Sequence, residues 1–290
     1  MATVTTAATS DRAPSSATPV PSRRRRAGGR PRMSPWSIFW LVVAVLYFLV
    51  PVYSLVQFSF EGGAHGHAAG FHWFIAVFDD PAFRSSFWLS VQVALETVLV
   101  SNLLIVPTAF WIHLKLPRLR AAMDFVSVLP FVVPPIVLIV GIIPFLQPFT
   151  WLISRPEVLP LIYVVFALPF LYRSLDAGLR AIDLKTLAEA SANLGASTFG
   201  TLWRVVLPNL RSAVIGGSLL TVAIGMGEYT IASLLQFSTF PVYIFNIGQT
   251  LAYQAAALSV ISLVLTWGLM IGLFFLGRGG KTSTEMGVVR

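Results

Sequence analysis

The chain has 290 residues, a net charge of +8, 56% apolar and aromatic residues and only 11% charged ones, where ordinary soluble domains carry roughly 25% charged residues. A soluble fold cannot hide so much apolar surface, and the apolar residues fall in long runs, so the composition points to an all-α integral membrane protein. With no cysteine in the sequence, disulfides, thiolate metal sites and cysteine nucleophiles are excluded.

Residues 1–35 are rich in Ala, Thr, Ser, Pro and Arg and have no apolar periodicity, which reads as a disordered cytosolic tail. Arg23, Arg24, Arg25, Arg26, Arg30 and Arg32 stand directly before the first apolar run, where positive charge anchors a span on the inside. No stacking aromatics accompany them, so a nucleic-acid partner is not expected. The first span is expected over residues 36–58 and an external loop over 59–85. His65, His67 and His72 lie in that loop, but its Gly/Ala-rich surroundings offer nothing to orient them as metal ligands.

A core of five further spans is expected over residues 86–277. The second covers residues 87–111 and the third 125–146, the latter a kinked, buried helix because it carries Pro130, Pro134, Pro135 and Pro144. The fourth rests on a run of only 14 apolar residues, 158–171, and charge decides it. If that run crosses, all but Arg84 and Arg155 of the 20 basic residues are cytosolic. The fifth and sixth spans are expected over 214–237 and 255–276, with an uncharged external loop over 238–254 and a cytosolic tail over 278–290.

Six spans leave residues 173–213 as the longest cytosolic connection, and it is patterned. Thr186 and Glu189 fit a capping box, Leu187, Ala190 and Leu194 share one helical face, and Gly195 supplies a stop. Ser197 can cap a second helix bearing Phe199, Leu202, Trp203 and Val206, closed by Leu207-Pro208. Periodicity alone leaves two docking partners for such a pair, the membrane interface or another protein.

The string Glu189-Ala190-Ser191-Ala192-Asn193-Leu194-Gly195, nine residues, then Val205-Val206-Leu207-Pro208 resembles the cytosolic loop of type I ABC importer permeases. That family's pattern is Glu-Ala-Ala, three residues, Gly, nine residues, Ile, any residue, Leu-Pro. Ser191 and Val205 depart from it, both by small or near-isosteric changes. The resemblance implies that Glu189, Ala190, Leu194, Gly195, Leu207 and Pro208 couple the chain to a cytosolic ABC ATPase dimer. It also implies a sister permease, an external solute-binding protein, and no cofactor in this subunit, ATP and magnesium belonging to the ATPase. In keeping with that, no Walker-type glycine-lysine loop occurs in the sequence.

Two acids lie inside spans, Glu96 in the second and Glu228 in the fifth, and each must face a cavity or a polar partner. Glu228 sits in Gly225-Met226-Gly227-Glu228-Tyr229, where small residues permit a close helix approach or a local break. It is a candidate for the translocation path, with a buried acid bonded to a neighbouring helix as the plain structural alternative. The third-span prolines and the stretch 227–233 resemble the second permease of spermidine/putrescine-type systems, which implies a small solute such as a polyamine, with iron or phosphonate as alternatives. A secondary transporter would show internal repeats, and none is found across the six spans.

Overall fold

The computed structural model describes residues 34–61 and 70–278. The basic cluster at Arg23 to Arg32, His65, His67 and the C-terminal tail with Lys281 lie outside the described residues. The chain divides into two compact units, Met1–Val50 and Pro51–Arg290. In the first, the described residues form the greater part of helix α1 (Pro35–Phe60), all of them exposed.

The second unit contains the remaining helices: α2 (His72–Asp79), α3 (Pro81–Lys115), α4 (Arg120–Val132), α5 (Pro135–Leu146), α6 (Thr150–Ile153), α7 (Val158–Ala181), α8 (Leu184–Asn193) and α9 (Thr198–Thr201). A π-helical turn at Leu202–Val206 leads on to α10 (Leu207–Asn209), α11 (Arg211–Gly227), α12 (Thr230–Leu234), α13 (Phe240–Gly248) and α14 (Ala252–Arg278). No strand occurs among the described residues. Five stretches are long and apolar enough to cross a membrane: Pro35–Phe60, Pro81–Lys115, Pro135–Ile153, Val158–Ala181 and Arg211–Leu234. To these α14 adds a shorter apolar stretch, Ala252–Gly268.

Helix α3 organises the second unit. At about 1.5 Å per residue its 35 residues span roughly 50 Å, well beyond the ~30 Å hydrocarbon core. Asp80 caps it, accepting the Ala82 amide at 2.8 Å, and Pro81 occupies the first turn, where a missing N–H costs nothing. Three core clusters follow one another along it. Near its start Phe83 joins Val77, Phe240, Tyr243 and Leu258, and Tyr243 donates its hydroxyl to Asp80. In its middle Val93 joins Ile139, Leu159, Tyr163 and Ile231. Toward its end Ile105, Ala109 and Phe110 join Leu171, Leu175, Leu202, Val206 and Leu210. The short helices α2 and α13 therefore sit at one end of α3, and the α8 to α10 segment at the other.

Helices α3, α7 and α11 pack against one another, and small residues let α7 and α11 approach closely. A Cβ at Gly217 would come within 2.7 Å of Leu171 Cδ1 and 3.0 Å of its Cα, and one at Gly178 within 2.8 Å of the Ala213 Cβ. Ser174 donates to the Ala213 carbonyl at 2.7 Å, and Asn102 of α3 donates to Ser218 of α11 at 2.8 Å.

Three sequence expectations need correction. The third span is broken rather than kinked: Val133 and Pro134 are extended (ψ 114° and 141°) because each precedes a proline ring that excludes the helical conformation. Nor is it buried within this chain, since Phe131, Val132, Ile136, Val137 and Val140 are exposed and only Ser127, Pro130 and Ile139 are fully buried. The fourth helix runs ten residues past Leu171, taking Arg173 to Ala181 into α7, so the connection expected over 173–213 spans only residues 182–210. The fifth span takes the local break that its small residues permit: it stops at Gly227, turns at Glu228 and Tyr229, and resumes as α12.

The close approach of α7 and α11 gives a direct test. Gly217→Ala should destabilise the purified chain by roughly 1–3 kcal/mol despite alanine's better helix propensity, since the new methyl meets Leu171 backbone. Gly227→Ala, where nothing lies within 4 Å of the added carbon, should unfold like wild type. Thermal unfolding of both variants in one detergent checks the contrast.

Candidate functional site

The connection between α7 and α11 folds as a helical hairpin. Its first helix is capped by Asp183, whose carboxylate accepts the Thr186 amide at 3.3 Å and the Thr186 hydroxyl at 2.7 Å. Those two bonds hold the Asp183 carboxyl below the usual carboxylate range. The expected capping box at Thr186 and Glu189 is therefore not formed. The helix starts three residues earlier, Thr186 lies in its first turn, and Glu189 sits exposed 3.9 Å from Lys185 one turn back. The sequence signal for the true cap was an Asp followed three residues later by Thr.

Gly195 ends the helix as the sequence suggests. Its φ of +83° is the left-handed conformation that L side chains avoid. It allows the Gly195 amide to reach Ala192 O at 2.9 Å and the Ala196 amide to reach Ser191 O at 3.0 Å, satisfying carbonyls the helix leaves open. Ser197 then caps α9, accepting the Gly200 amide at 3.1 Å. Ser191, one of the two departures from the family pattern, has a structural use: its buried hydroxyl lies 3.0 Å from the Thr201 hydroxyl and ties the two arms of the hairpin together.

Pro208 does not close the segment as expected. It occupies the first turn of α10 after the π-helical turn, and the chain continues as far as Leu210 before α11 begins. Because Pro208 has no N–H to give, the ladder is already irregular there. The Asn209 side chain donates to Val205 O at 2.7 Å.

The two apolar stripes divide. Leu184, Leu202, Val206 and Leu210 are buried against α3 and α7, while Leu194, Phe199 and Trp203 are 89%, 69% and 48% exposed. The Phe199 and Trp203 rings lie 5.9 Å apart on that open face, and Glu189 and Ala190 are exposed as well. One side of the hairpin is thus fixed to the bundle, and the other offers aromatic and aliphatic surface with an acid at its border.

Beneath the hairpin runs a polar network that sequence reading missed. His113 of α3, 6% exposed, has Nε2 2.8 Å from Asp176 Oδ1 and Nδ1 2.8 Å from Ala109 O. Arg180 Nε lies 2.9 Å from the second Asp176 oxygen and reaches Asp124 of α4 at 3.8 Å. The Arg120 guanidinium donates to His113 O at 2.9 Å. The ends of α3, α4 and α7 are joined in this way, although the residues are up to 67 positions apart in sequence and no local pattern pairs them.

The two intramembrane acids are not brought together. Glu96 accepts from Gln92 one turn earlier on α3 at 2.9 Å. Glu228 takes the plain structural role as well: it accepts the Ile231 amide at 3.0 Å and the Ala232 amide at 3.4 Å, so capping α12, and it accepts the hydroxyl of buried Tyr163 of α7 at 2.9 Å. A carboxylate at a helix N-terminus meets unpaired amides and the positive end of the helix dipole. Next to it, a cavity of about 440 Å³ opens between α3, α11, α13 and α14, lined by Ala94, Leu95, Val222, Met226, Gly227 and Thr266 among others. Neither carboxylate is among its lining residues. The turn at Glu228 nevertheless borders it through Met226 and Gly227.

Comparison with known proteins agrees with this architecture. Residues 105–278 match the family described as binding-protein-dependent transport system inner membrane component. The spermidine/putrescine transport system permease protein PotC of Haemophilus influenzae is 24% identical over 239 residues, covering 80% of this chain and 92% of that protein. The molybdenum transport system permease protein ModB of Mycobacterium tuberculosis is 31% identical over 233 residues, covering 72% and 83%. A probable sulfate transport system permease protein, cysT of Chlorokybus atmophyticus, is 36% identical over 123 residues, a match that takes in 42% of its length. Among solved structures, a bacterial ABC transporter that imports alginate superposes with a TM-score of 0.59 at 18% identity, covering 87% of this chain and all of that one. The matched residues run through the hairpin and the helices it packs on, so the chain belongs to the binding-protein-dependent transport system inner membrane component family, as a permease of the type I ABC importer kind.

Proposed function

We propose that this permease crosses the membrane six times, with both termini and the α8–α9 hairpin in the cytosol, and that the hairpin is the handle by which an ABC ATPase dimer drives it. The observation that carries this reading is the division of the hairpin into a fixed and an open side. Leu184, Leu202, Val206 and Leu210 fasten it to α3 and α7, while Leu194, Phe199 and Trp203 face away from the bundle. Exposed apolar surface beside Glu189 and Gly195 suits the groove of a cytosolic partner. A force on that face passes through the buried side into α3 and α7. Glu189 meets a basic group of the ATPase, Ala190 and Leu194 supply packing surface, Gly195 permits close approach, and Leu207 and Pro208 fix the return toward α11.

The exposed faces of α4 and α5 fit a sister permease that completes the path, and the α2 and α13 end of the bundle faces a solute-binding protein. One alginate importer has been solved with its periplasmic binding protein loaded with an alginate pentasaccharide, and the fold is shared. The solute is small. A polyamine suits Glu228 if its carboxylate exchanges Tyr163 for the cargo during transport, while the likeness to permeases of molybdenum and sulfate transport systems favours an oxyanion.

Gly195→Asp is expected to leave membrane insertion and abundance near wild type, because the added side chain meets open space and aspartate tolerates the left-handed conformation better than most residues. ATPase co-purification and uptake should both fall about tenfold or more. Wild-type import by this variant would remove the hairpin from the coupling role. For the path, Glu228→Gln keeps an acceptor for the α12 amides but removes the charge. Uptake of a labelled polyamine should drop severalfold while ATPase association holds, and unchanged kinetics would confine Glu228 to capping α12. Labelled molybdate and sulfate in the same assay separate the cation reading from the oxyanion one.

A further inference from the structure

A second cleft lies on the inner side of the hairpin, away from its open face. It has a volume of about 650 Å³ and is bounded by the end of α3, the turn that follows it, the end of α7 and the start of α8. Four cations line it, Lys115, Arg120, Arg180 and Lys185, and no acid does. An adjoining cavity of about 300 Å³ continues under α8, sharing Leu114, Lys115 and Lys185 and adding Glu189.

The local ion pairs do not use up this charge. Arg180 faces Asp176 and, at 3.8 Å, Asp124, and Glu189 approaches Lys185 only at 3.9 Å between two exposed side chains, which leaves Lys115 and Arg120 with no carboxylate partner among the described residues. Arg120 spends one terminal nitrogen on the His113 carbonyl, yet its Nε is buried with no hydrogen-bond partner. Converging cations with a planar donor fork favour an oxyanion, phosphate above all. Exposed Leu116 and Leu119 stand on the same turn, so the polar cleft has apolar surface beside it.

We propose that this cleft binds a phosphate-bearing anion, either the headgroup of an anionic phospholipid or a soluble phosphate compound. The bound group bridges α3 and α7 to the first turn of α8 and so stiffens the hairpin's attachment to the bundle. The phospholipid source rests on the cytosolic placement proposed above, since it requires this end of the bundle to lie at a leaflet surface, where basic residues hold anionic headgroups.

The test uses the full chain in phosphatidylcholine nanodiscs, with phosphatidylglycerol or inorganic phosphate added, and reads binding by native mass spectrometry and by the shift in Tm. Wild type should retain phosphatidylglycerol and gain Tm. Lys115→Gln with Lys185→Gln should weaken binding by about 25-fold, at about fivefold per charge. Arg118→Gln, outside the cleft lining, should weaken binding clearly less than Lys115→Gln does. Competition by inorganic phosphate marks a soluble phosphate as the ligand, and its absence marks the lipid. Lys115→Gln alone, which breaks no ion pair, serves if the double variant fails to fold. The proposal is overturned if neither anion binds, if the cleft variants bind as wild type does, or if Arg118→Gln loses as much as they do. No ATPase is present in this assay, so its failure leaves the coupling reading standing, and loss of the coupling reading leaves this one testable.

Discussion

The close packing of α7 against α11 sets where everything else in the second unit can lie, because glycines at 178 and 217 bring the two helices nearer than any side chain would allow. Apolar side chains gain little in lipid from meeting one another, so dense packing and a few interhelical hydrogen bonds must hold the helices together. Ser174 to Ala213 O and Asn102 to Ser218 supply such bonds. With α7 held against both α3 and α11, the end of α7 delivers the hairpin onto the end of α3. Leu202, Val206 and Leu210 can then fill the space between them.

The two helix breaks follow from another constraint of the bilayer, that backbone groups inside it need partners. At Val133 and Pro134 the prolines account for the break. Proline cannot donate, so Pro134 and Pro135 leave no amides unsatisfied. At Glu228 and Tyr229 the break has no proline, and the chain solves the problem with an acid: the Glu228 carboxylate accepts the first free amides of α12 and anchors to Tyr163. A residue that costs roughly 2.5 to 3.5 kcal/mol at a bare helix centre is tolerable where it replaces those lost bonds. Its place beside the apolar cavity keeps it a candidate for the path as well as a structural cap.

The hairpin was the most legible part of the chain, for a physical reason. Its stop at Gly195 and its cap at Ser197 depend on single residues with strong local preferences, and both form as expected. The capping box failed because Asp183, three residues upstream, competes for the same role with a stronger acceptor. The two apolar stripes were legible as stripes. Which members face the bundle was not, since helical spacing gives a face but not the neighbour that covers it. The same limit explains the third span, whose prolines announce a disruption without saying whether the helix bends or breaks, or whether it is covered by this chain.

By itself the sequence determined that the protein lives in a membrane, that its helices are punctuated at Gly195, Pro134 and Pro135, and that its loop carries the spacing of an importer permease. These are consequences of composition and of residues acting on their immediate neighbours. Only the tertiary structure decided that Glu228 caps a helix and bonds to Tyr163, that His113, Asp176, Arg180 and Arg120 join three helix ends, and that four cations line one cleft. Each of those groups draws on residues tens of positions apart, so their chemistry exists only once close helix packing has brought them within hydrogen-bond or charge range.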